Sequence, residues 1–108
     1  MNGCCYSDNV EVYYGSTPKY KLEINAGLPM SEFDFEVKLS CGDNSLTVKK
    51  ADMPVGDDGS YYVCFDTTRL GIGPVKAVVT AFIPDGDYFS RVRKEVTVAN
   101  GPIIIKRT

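Results

Sequence analysis

Residues 33–50, FDFEVKLSCGDNSLTVKK, decide the fold class of this chain because two alternating segments flank a turn. The first segment places apolar side chains at every second position: Phe33, Phe35, Val37, Leu39 and Cys41. A period of two is typical of a strand with one face in the core and the other in water. GDNS then supplies turn-forming residues, and LTVKK returns as a second strand. The stretch therefore predicts a β-hairpin.

Similar short apolar segments continue on both sides of this hairpin. VEVYY and KYKLEI precede it, and SYYVCF, VKAVVTAFI, RVRKEVTV and IIIK follow, separated by glycine- and proline-containing turns. A single helical turn is expected only in DTTRLG, residues 66–71, which ends on a glycine. We predict an all-β fold, an antiparallel immunoglobulin-like β-sandwich of seven to eight strands. The predicted core includes Phe35, Val37, Leu39, Leu46, Val48, Val63, Val79 and Val96.

The length of 108 residues suits one domain over residues 1–108, with residues 1–9 as a mobile N-terminal segment. A net charge of −2 gives no electrostatic basis for nucleic-acid binding, and no apolar run is long enough to span a membrane. The N-terminus lacks the basic start and apolar stretch of a signal peptide. We therefore expect a protein made in the cytoplasm.

The segment DDGSYYVC resembles the F strand of an immunoglobulin domain at Asp58, Ser60, Tyr62 and Cys64. In that resemblance the Tyr62 hydroxyl anchors the turn before its strand. A variable domain also needs a tryptophan on its disulfide, and this chain has none. Only four residues precede Cys5, too few for a first strand. The architecture is therefore expected to be immunoglobulin-like without the chain being an immunoglobulin.

The four cysteines, Cys4, Cys5, Cys41 and Cys64, lack a secretory context, so we expect free thiols with Cys41 and Cys64 buried. The absence of histidine argues against zinc and against an ordinary catalytic nucleophile. We predict no enzymatic activity, no cofactor and no metal.

Two acidic pairs, Asp57 with Asp58 and Asp85 with Asp87, lie in turns. Aspartates there commonly accept bonds from their own backbone. Calcium binding by these carboxylates is the alternative, and it needs more oxygen ligands than one pair supplies. The GIG at residues 71–73 indicates a turn with positive φ rather than a phosphate loop, because the third glycine and the following helix are missing.

A wider resemblance covers residues 57–96 and follows the pattern D-D-x-x-Y-x-x-x-x-D-T-x-x-L-G-x-G, then I-P-D-x-D and R-x-E-V. Its positions correspond to Asp57, Asp58, Tyr61 or Tyr62, Asp66, Thr67, Leu70, Gly71, Gly73, Ile83, Pro84, Asp85, Asp87, Arg93, Glu95 and Val96. This resembles small β-sandwich domains of phages and prophages of Bacteroides-type bacteria. Such domains are similar in organisation to the N-terminal domains of upper baseplate proteins, which attach receptor-binding parts to a phage tail.

The resemblance implies a non-enzymatic structural or adaptor protein of a virion, in the tail or baseplate, that contacts other virion proteins or copies of itself. A homo-oligomer is expected because virion parts occupy symmetric positions. The alternative is a binding module of a bacterial surface protein, secreted or at the cell surface, that recognises glycan or protein. Neighbouring tail genes would favour the first hypothesis, and a native signal peptide or anchor the second.

Contact residues are predicted at three places. Exposed aromatic rings are typical of binding surfaces, which points to Tyr13, Tyr14, Tyr88 and Phe89. The two end segments are predicted to pair with a neighbouring chain by their strand edges through Val10, Val12, Ile103, Ile104 and Ile105. The alternative for the isoleucines is that they simply form the last strand of a closed sandwich.

Overall fold

The computed structural model describes residues 10–108, and these residues fold into strands, short 3-10 turns and loops. The seven strands are β1 (Val10–Tyr13), β2 (Lys19–Leu22), β3 (Asp34–Cys41), β4 (Asn44–Lys49), β5 (Tyr61–Cys64), β6 (Gly73–Pro84) and β7 (Val92–Lys106). The 3-10 turns are Met30–Glu32, Lys50–Asp52 and Thr67–Arg69, the last in the predicted segment. The all-β class is thereby confirmed. Predictions for residues 1–9, with Cys4 and Cys5, lie outside the described residues.

The larger sheet has five strands in the order β1-β7-β6-β3-β4. The predicted hairpin is its β3–β4 pair, which aligns Val37 with Val48. β1 instead runs parallel to the end of β7, with Val10 beside Ile103 and Tyr13 beside Lys106. The prediction of a purely antiparallel fold is wrong for this pair. Parallel neighbours need a long connection, and here the whole domain connects them.

The smaller sheet consists of β2 and β5 in antiparallel register. Its inward residues pack on the buried face of β3, where the rings of Phe35 and Tyr61 meet edge to face with centroids 5.2 Å apart. Leu22 and Val63 are buried beside them. The core therefore lies between the two sheets, and burial of each large side chain contributes about 1.5–3 kcal/mol before entropy is subtracted.

β6 and β7 form the longest hairpin. The sequence predicted separate strands for RVRKEVTV and IIIK, but one strand of 15 residues, β7, contains both. Val75 pairs with Ile103 while Lys76 pairs with Asn100, so residues 101 and 102 form a bulge in β7. Gly101 has a φ of 68°, which only glycine adopts at little cost. The ANGP segment thus bends a strand rather than ending one.

The predicted core is confirmed except at two positions. Phe35, Val37, Leu39, Val48, Val63 and Val79 are buried, whereas Leu46 is half-buried and Val96 is 53% exposed. The residues on either side of Val96 lie on the core side of the sheet, because Thr97 pairs with the buried Val79 and Glu95 with the buried Ala81. Val96 therefore faces outward and is exposed. Val96 was therefore assigned to the wrong face of β7.

Candidate protein-contact surface

The free side of β7 is the first feature of this surface. β1 pairs with β7 only over the register from Ile103 to Lys106, and β6 lies on the opposite side. Within residues 10–108, no strand pairs with residues 92–102 of β7 on the side away from β6. We call this side of residues 92–102 the β7 edge. At about 3.3 Å per residue it is roughly 35 Å long, and its outward N–H and C=O groups can accept another strand.

Valines line the outer face of the sheet beside this edge. Val96 and Val98 are 53% and 49% exposed, and Val98 pairs across the strands with the half-buried Val78. Val92, also half-buried, lies on the same face. These four residues are called the valine strip. A strip of apolar side chains next to unpaired backbone groups is suited to bind another polypeptide by strand addition.

An ion network lies on the other face of β7. Arg93 Nη1 contacts Asp85 Oδ2 at 2.9 Å, and Arg93 Nε contacts Glu95 Oε2 at 3.1 Å. Partial desolvation acts to lower the pKa of Arg93, but the hydrogen bonds and charges of Asp85 and Glu95 raise it overall. Exposed ion pairs contribute little free energy. The network instead holds the start of β7 against the turn that precedes it.

That turn, residues 85–91, is called the tip. The Asp85 N–H donates to the Arg91 carbonyl at 2.9 Å, and the Arg91 N–H donates to the Tyr88 carbonyl at 2.9 Å. Arg91 has a φ of 64°, the one positive value at a residue other than glycine among those described. The closed turn leaves Tyr88 49% exposed and Phe89 fully exposed. An exposed phenylalanine on a turn fixed by hydrogen bonds is a second candidate contact point.

The predicted aromatic residues fall into two groups. Tyr13 is 61% and Tyr14 is 38% exposed, and Tyr13 lies beside Lys106 at the far end of β7. Tyr88 and Phe89 precede the first residue of the same strand. At about 3.3 Å per residue, the 15 residues of β7 separate the groups by roughly 45 Å. One small ligand therefore cannot contact both groups.

The isoleucines do not form a free edge. Ile103 and Ile105 are 1% exposed and Ile104 is half-buried, because β1 pairs on one side of them and β6 on the other. The pairing role predicted for these three residues is corrected on that ground: they lie in the middle of the five-stranded sheet, between β1 and β6. Val10 and Val12 of β1 are half-buried, and their outer side borders no other described strand.

The residues of the D-T-x-x-L-G segment build a structural turn. Asp66 Oδ1 accepts from the Thr68 hydroxyl at 2.7 Å and the Thr68 N–H at 2.9 Å, and these bonds lower the pKa of Asp66. The fully buried Thr67 hydroxyl donates to the Ser16 carbonyl at 2.8 Å. Leu70 is buried and Gly71 has a φ of 102°. These residues therefore serve the fold and offer no contact surface.

The acidic turns bind their own backbone. The Ser60 N–H donates to Asp58 Oδ1 at 3.1 Å, which lowers the pKa of Asp58, and the Asp87 N–H donates to Asp85 Oδ1 at 3.0 Å. The turn before β5 is further fixed by the Tyr62 ring, which packs against Gly56. Residues 10–108 contain no group of three or more cysteine or acidic side chains placed to hold a metal ion.

Both described cysteines are free thiols, but only Cys41 is buried. Cys64 is exposed because it faces outward from β5, where Val63 occupies the core side. The prediction that both thiols are buried is wrong for Cys64. Cys41 Sγ lies 3.9 Å from the Gly71 carbonyl, so the buried thiol is close to the turn that precedes β6.

Comparison with known proteins returned no match to this chain among family models, curated proteins or solved structures. In residues 10–108, no helix is long and apolar enough to cross a membrane.

Proposed function

We propose that this chain is a non-enzymatic structural or adaptor domain of a phage virion, in the tail or baseplate, that acts by binding other polypeptides. The observation that carries the proposal is the β7 edge, because within residues 10–108 the backbone groups on the outer side of residues 92–102 pair with no strand and lie beside exposed valines. Isolated monomers commonly protect such an edge with bulges, prolines or inward-pointing charges. Along the β7 edge the charges are confined to residues 93–95 and the bulge and proline to residues 101 and 102, which leaves residues 96–100 without these features.

The strand order supports an immunoglobulin-like sandwich as part of this proposal. In immunoglobulin variable domains strands G, F, C and C′ share one sheet, and strands B and E lie together in the other. β7, β6, β3 and β4 follow the first order, and β2 with β5 follows the second. On this correspondence the tyrosine- and cysteine-containing β5 occupies the position of strand E. The F-strand resemblance of its sequence is then local to the turn before β5.

The virion assignment rests on the resemblance of residues 57–96 to phage sandwich domains, and the structure supports it indirectly. The resembling residues form the turn at Asp66, the tip and the ion network of Arg93. The shared pattern therefore consists of residues that hold the fold together, and we call these residues the frame. Among residues 10–108, this frame leaves the β7 edge and the tip without a partner. An adaptor needs such a rigid frame with separate contact surfaces.

Particle composition tests this proposal directly. Particles are induced from a strain that carries the gene, purified by density gradient, and analysed by quantitative mass spectrometry beside a strain with the gene deleted. We expect the chain in wild-type particles at a fixed ratio to tail proteins, and tailless or incomplete particles without it. If the chain is absent from intact particles, the virion assignment is overturned.

A binding module for glycan or protein is the second candidate, and the tip favours it. Phe89 is fully exposed and Tyr88 is half-exposed, and aromatic rings on a fixed turn can stack on a sugar or fill an apolar pocket. This candidate, a module of a bacterial surface protein, predicts that the purified chain binds glycans or proteins on an array and that Phe89→Ala abolishes this binding without changing the thermal unfolding midpoint. Binding retained by that variant would contradict it.

A further inference from the structure

We propose that the tip binds a neutral sugar of a glycan in a groove lined by Asp87, Tyr88, Phe89 and Arg91. The inference deepens the second candidate function and rests on its claim that the tip is a contact point. It adds the chemical class of the ligand and the role of each side chain. It does not depend on which polypeptide pairs with the β7 edge.

The groove lies on the surface of the tip. Its lining residues are Gly86, Asp87, Tyr88, Phe89 and Arg91, and its volume is about 450 Å³. Sites for small molecules commonly have volumes of roughly 300–1,000 Å³. Arg91 Nη1 lies 3.7 Å from the position that a Cβ atom would take at Gly86, so the guanidinium group borders the groove. A single sugar ring fits in this space while the rest of a glycan extends into solvent.

The side chain of Arg91 is not required by the turn that carries it. The hydrogen bonds that close the tip use only the backbone of Arg91, which donates to Tyr88 and accepts from Asp85. Its φ of 64° is a conformation that glycine adopts at lower cost. Residues held in such strained conformations cluster at ligand sites. Glycine would form this turn at least as well, so the guanidinium group is available to bind a ligand.

The groove contains two opposite charges that do not pair with each other. Within residues 10–108 the ion pairs near the tip all use Arg93, and neither Arg91 nor Asp87 takes part in one. The guanidinium group only donates hydrogen bonds and the carboxylate only accepts them. Adjacent sugar hydroxyls do both and therefore match this pair. A sugar that carries a carboxylate would be repelled by Asp87, so the pair favours a neutral sugar.

The aromatic rings supply the apolar part of the groove. Phe89 is fully exposed and Tyr88 is 49% exposed. The face of an aromatic ring carries partial negative charge, and the C–H groups on one face of a pyranose ring carry partial positive charge. A sugar can therefore stack on a ring while its hydroxyls reach the charged side chains.

The backbone of the tip favours a sugar over a polypeptide as the ligand. The N–H groups of Asp85, Asp87, Tyr88 and Arg91 all donate within the turn. A polypeptide that adds to a fold as a strand needs free backbone groups, and these four are already bonded. Recognition at the tip therefore depends on side chains, and one flat apolar surface beside a donor and an acceptor suits a pyranose ring.

Titration of the isotope-labelled chain with methyl glycosides, followed by NMR, tests the site. The probes are the methyl glycosides of glucose, galactose, mannose and glucuronic acid. At least one of the three neutral probes is expected to shift the amide signals of residues 86–91, with a dissociation constant of about a millimolar because one sugar makes few contacts. The glucuronic acid probe should cause no saturable shift.

Variants of the charged side chains test their roles. Arg91→Gly removes the guanidinium group and retains the positive φ, so it should weaken binding about tenfold or more without lowering the thermal unfolding midpoint. Asp87→Asn removes the charge of the carboxylate and should also weaken binding. Arg107→Gly is the matched control, because Arg107 is exposed and lies beyond the end of β7, and it should bind as wild type does.

Variants of the exposed phenylalanine test the stacking contact. Phe89→Ala should abolish binding, whereas Phe89→Tyr retains a ring and should bind nearly as well as wild type. Ile72→Ala alters another exposed apolar residue, 47% exposed and outside the tip, and should leave binding unchanged.

The outcomes separate this inference from the proposed functions. The inference is overturned if no neutral probe shifts residues 86–91, if the glucuronic acid probe binds best, or if Arg91→Gly binds as wild type does. A chain that binds proteins but no glycan on the array, and loses that binding in Phe89→Ala, contradicts the sugar and leaves the second candidate standing. Glycan binding that persists in Phe89→Ala contradicts both. Particle composition tests the virion assignment separately, whichever of these results is found.

Discussion

The side chain of Lys50 tests how the segment that leads into β3 is held against the turn after β4. Its Nζ donates to three carbonyl oxygens of one neighbouring segment: Phe33 at 2.8 Å, Met30 at 3.0 Å and Ser31 at 3.3 Å. The same ammonium group lies 5.4 Å from the centre of the Phe35 ring. One side chain therefore fixes the 3-10 turn that leads into β3. Lys50→Met keeps most of the apolar stem and removes every one of these bonds.

The expected loss can be estimated from the geometry. The two shorter bonds contribute roughly 1.5 kcal/mol each, at the lower end of the range for charged donors, because the site is only half-buried. The cation–π contact adds about 0.5 kcal/mol. Lys50→Met should therefore reduce the free energy of unfolding by about 2–4 kcal/mol, a large share of the roughly 5–15 kcal/mol typical of a domain.

Urea unfolding followed by circular dichroism measures this loss, with Lys49→Met as the matched control. Lys49 is the preceding residue and is exposed, so its replacement should change stability by less than about 0.5 kcal/mol. The midpoint of thermal unfolding should fall by roughly 10–25 °C in the Lys50 variant only. If both variants unfold like wild type, the three carbonyl contacts do not stabilise the protein and the reasoning is refuted.

Three further predictions concern buried and capping groups. Thr67→Val should cost about 1–3 kcal/mol in urea unfolding because the Gly15 N–H, which donates to the Thr67 hydroxyl at 2.9 Å, loses its partner; an unchanged midpoint would contradict this. In native protein, alkylation mapped by mass spectrometry should modify Cys64 much faster than the buried Cys41, and equal rates would show that the core opens readily. The pKa of Asp66 is lowered in the fold, so its contribution is present above the unfolded-state value of about 3.9 and is lost as pH falls through the lower folded-state value. Asp66→Asn should flatten the decline of stability over that acidic range, and a decline as steep as that of wild type would exclude Asp66 as its source.

The strands could be predicted from the sequence because successive side chains of a strand point to opposite faces, and apolar and polar residues alternate accordingly. The β3–β4 hairpin is the best case: residues 33–41 alternate in sequence and in burial. Alternation does not record which face lies inward, however. In β7, Thr97 and Glu95 pair with Val79 and Ala81 of β6, which are buried in the core. The valines of β7 alternate with Thr97 and Glu95 and therefore face outward. That choice depends on tertiary packing and on no local pattern.

The candidate contact surface could be predicted from the sequence only where it depends on single side chains. Two adjacent tyrosines must expose at least one ring, so Tyr13 and Tyr14 were correctly placed at the surface. The β7 edge depends on the register of β1 against β7, and the sequence of neither strand contains that register. The same register moved Ile103 and Ile105 from a free end into the middle of a sheet.

The resembling residues have roles that explain why their pattern indicates an architecture rather than a partner. Asp66 caps a turn, Thr67 joins that turn to the loop after β1, and Arg93 bridges Asp85 and Glu95 at the base of the tip. These bonds all lie within the fold, in the turn after β5 and at the base of the β6–β7 hairpin. Val98 and Phe89 take part in none of these bonds and are exposed. Under the proposed adaptor function, partner choice is expected to follow the outward residues of β7 and the tip.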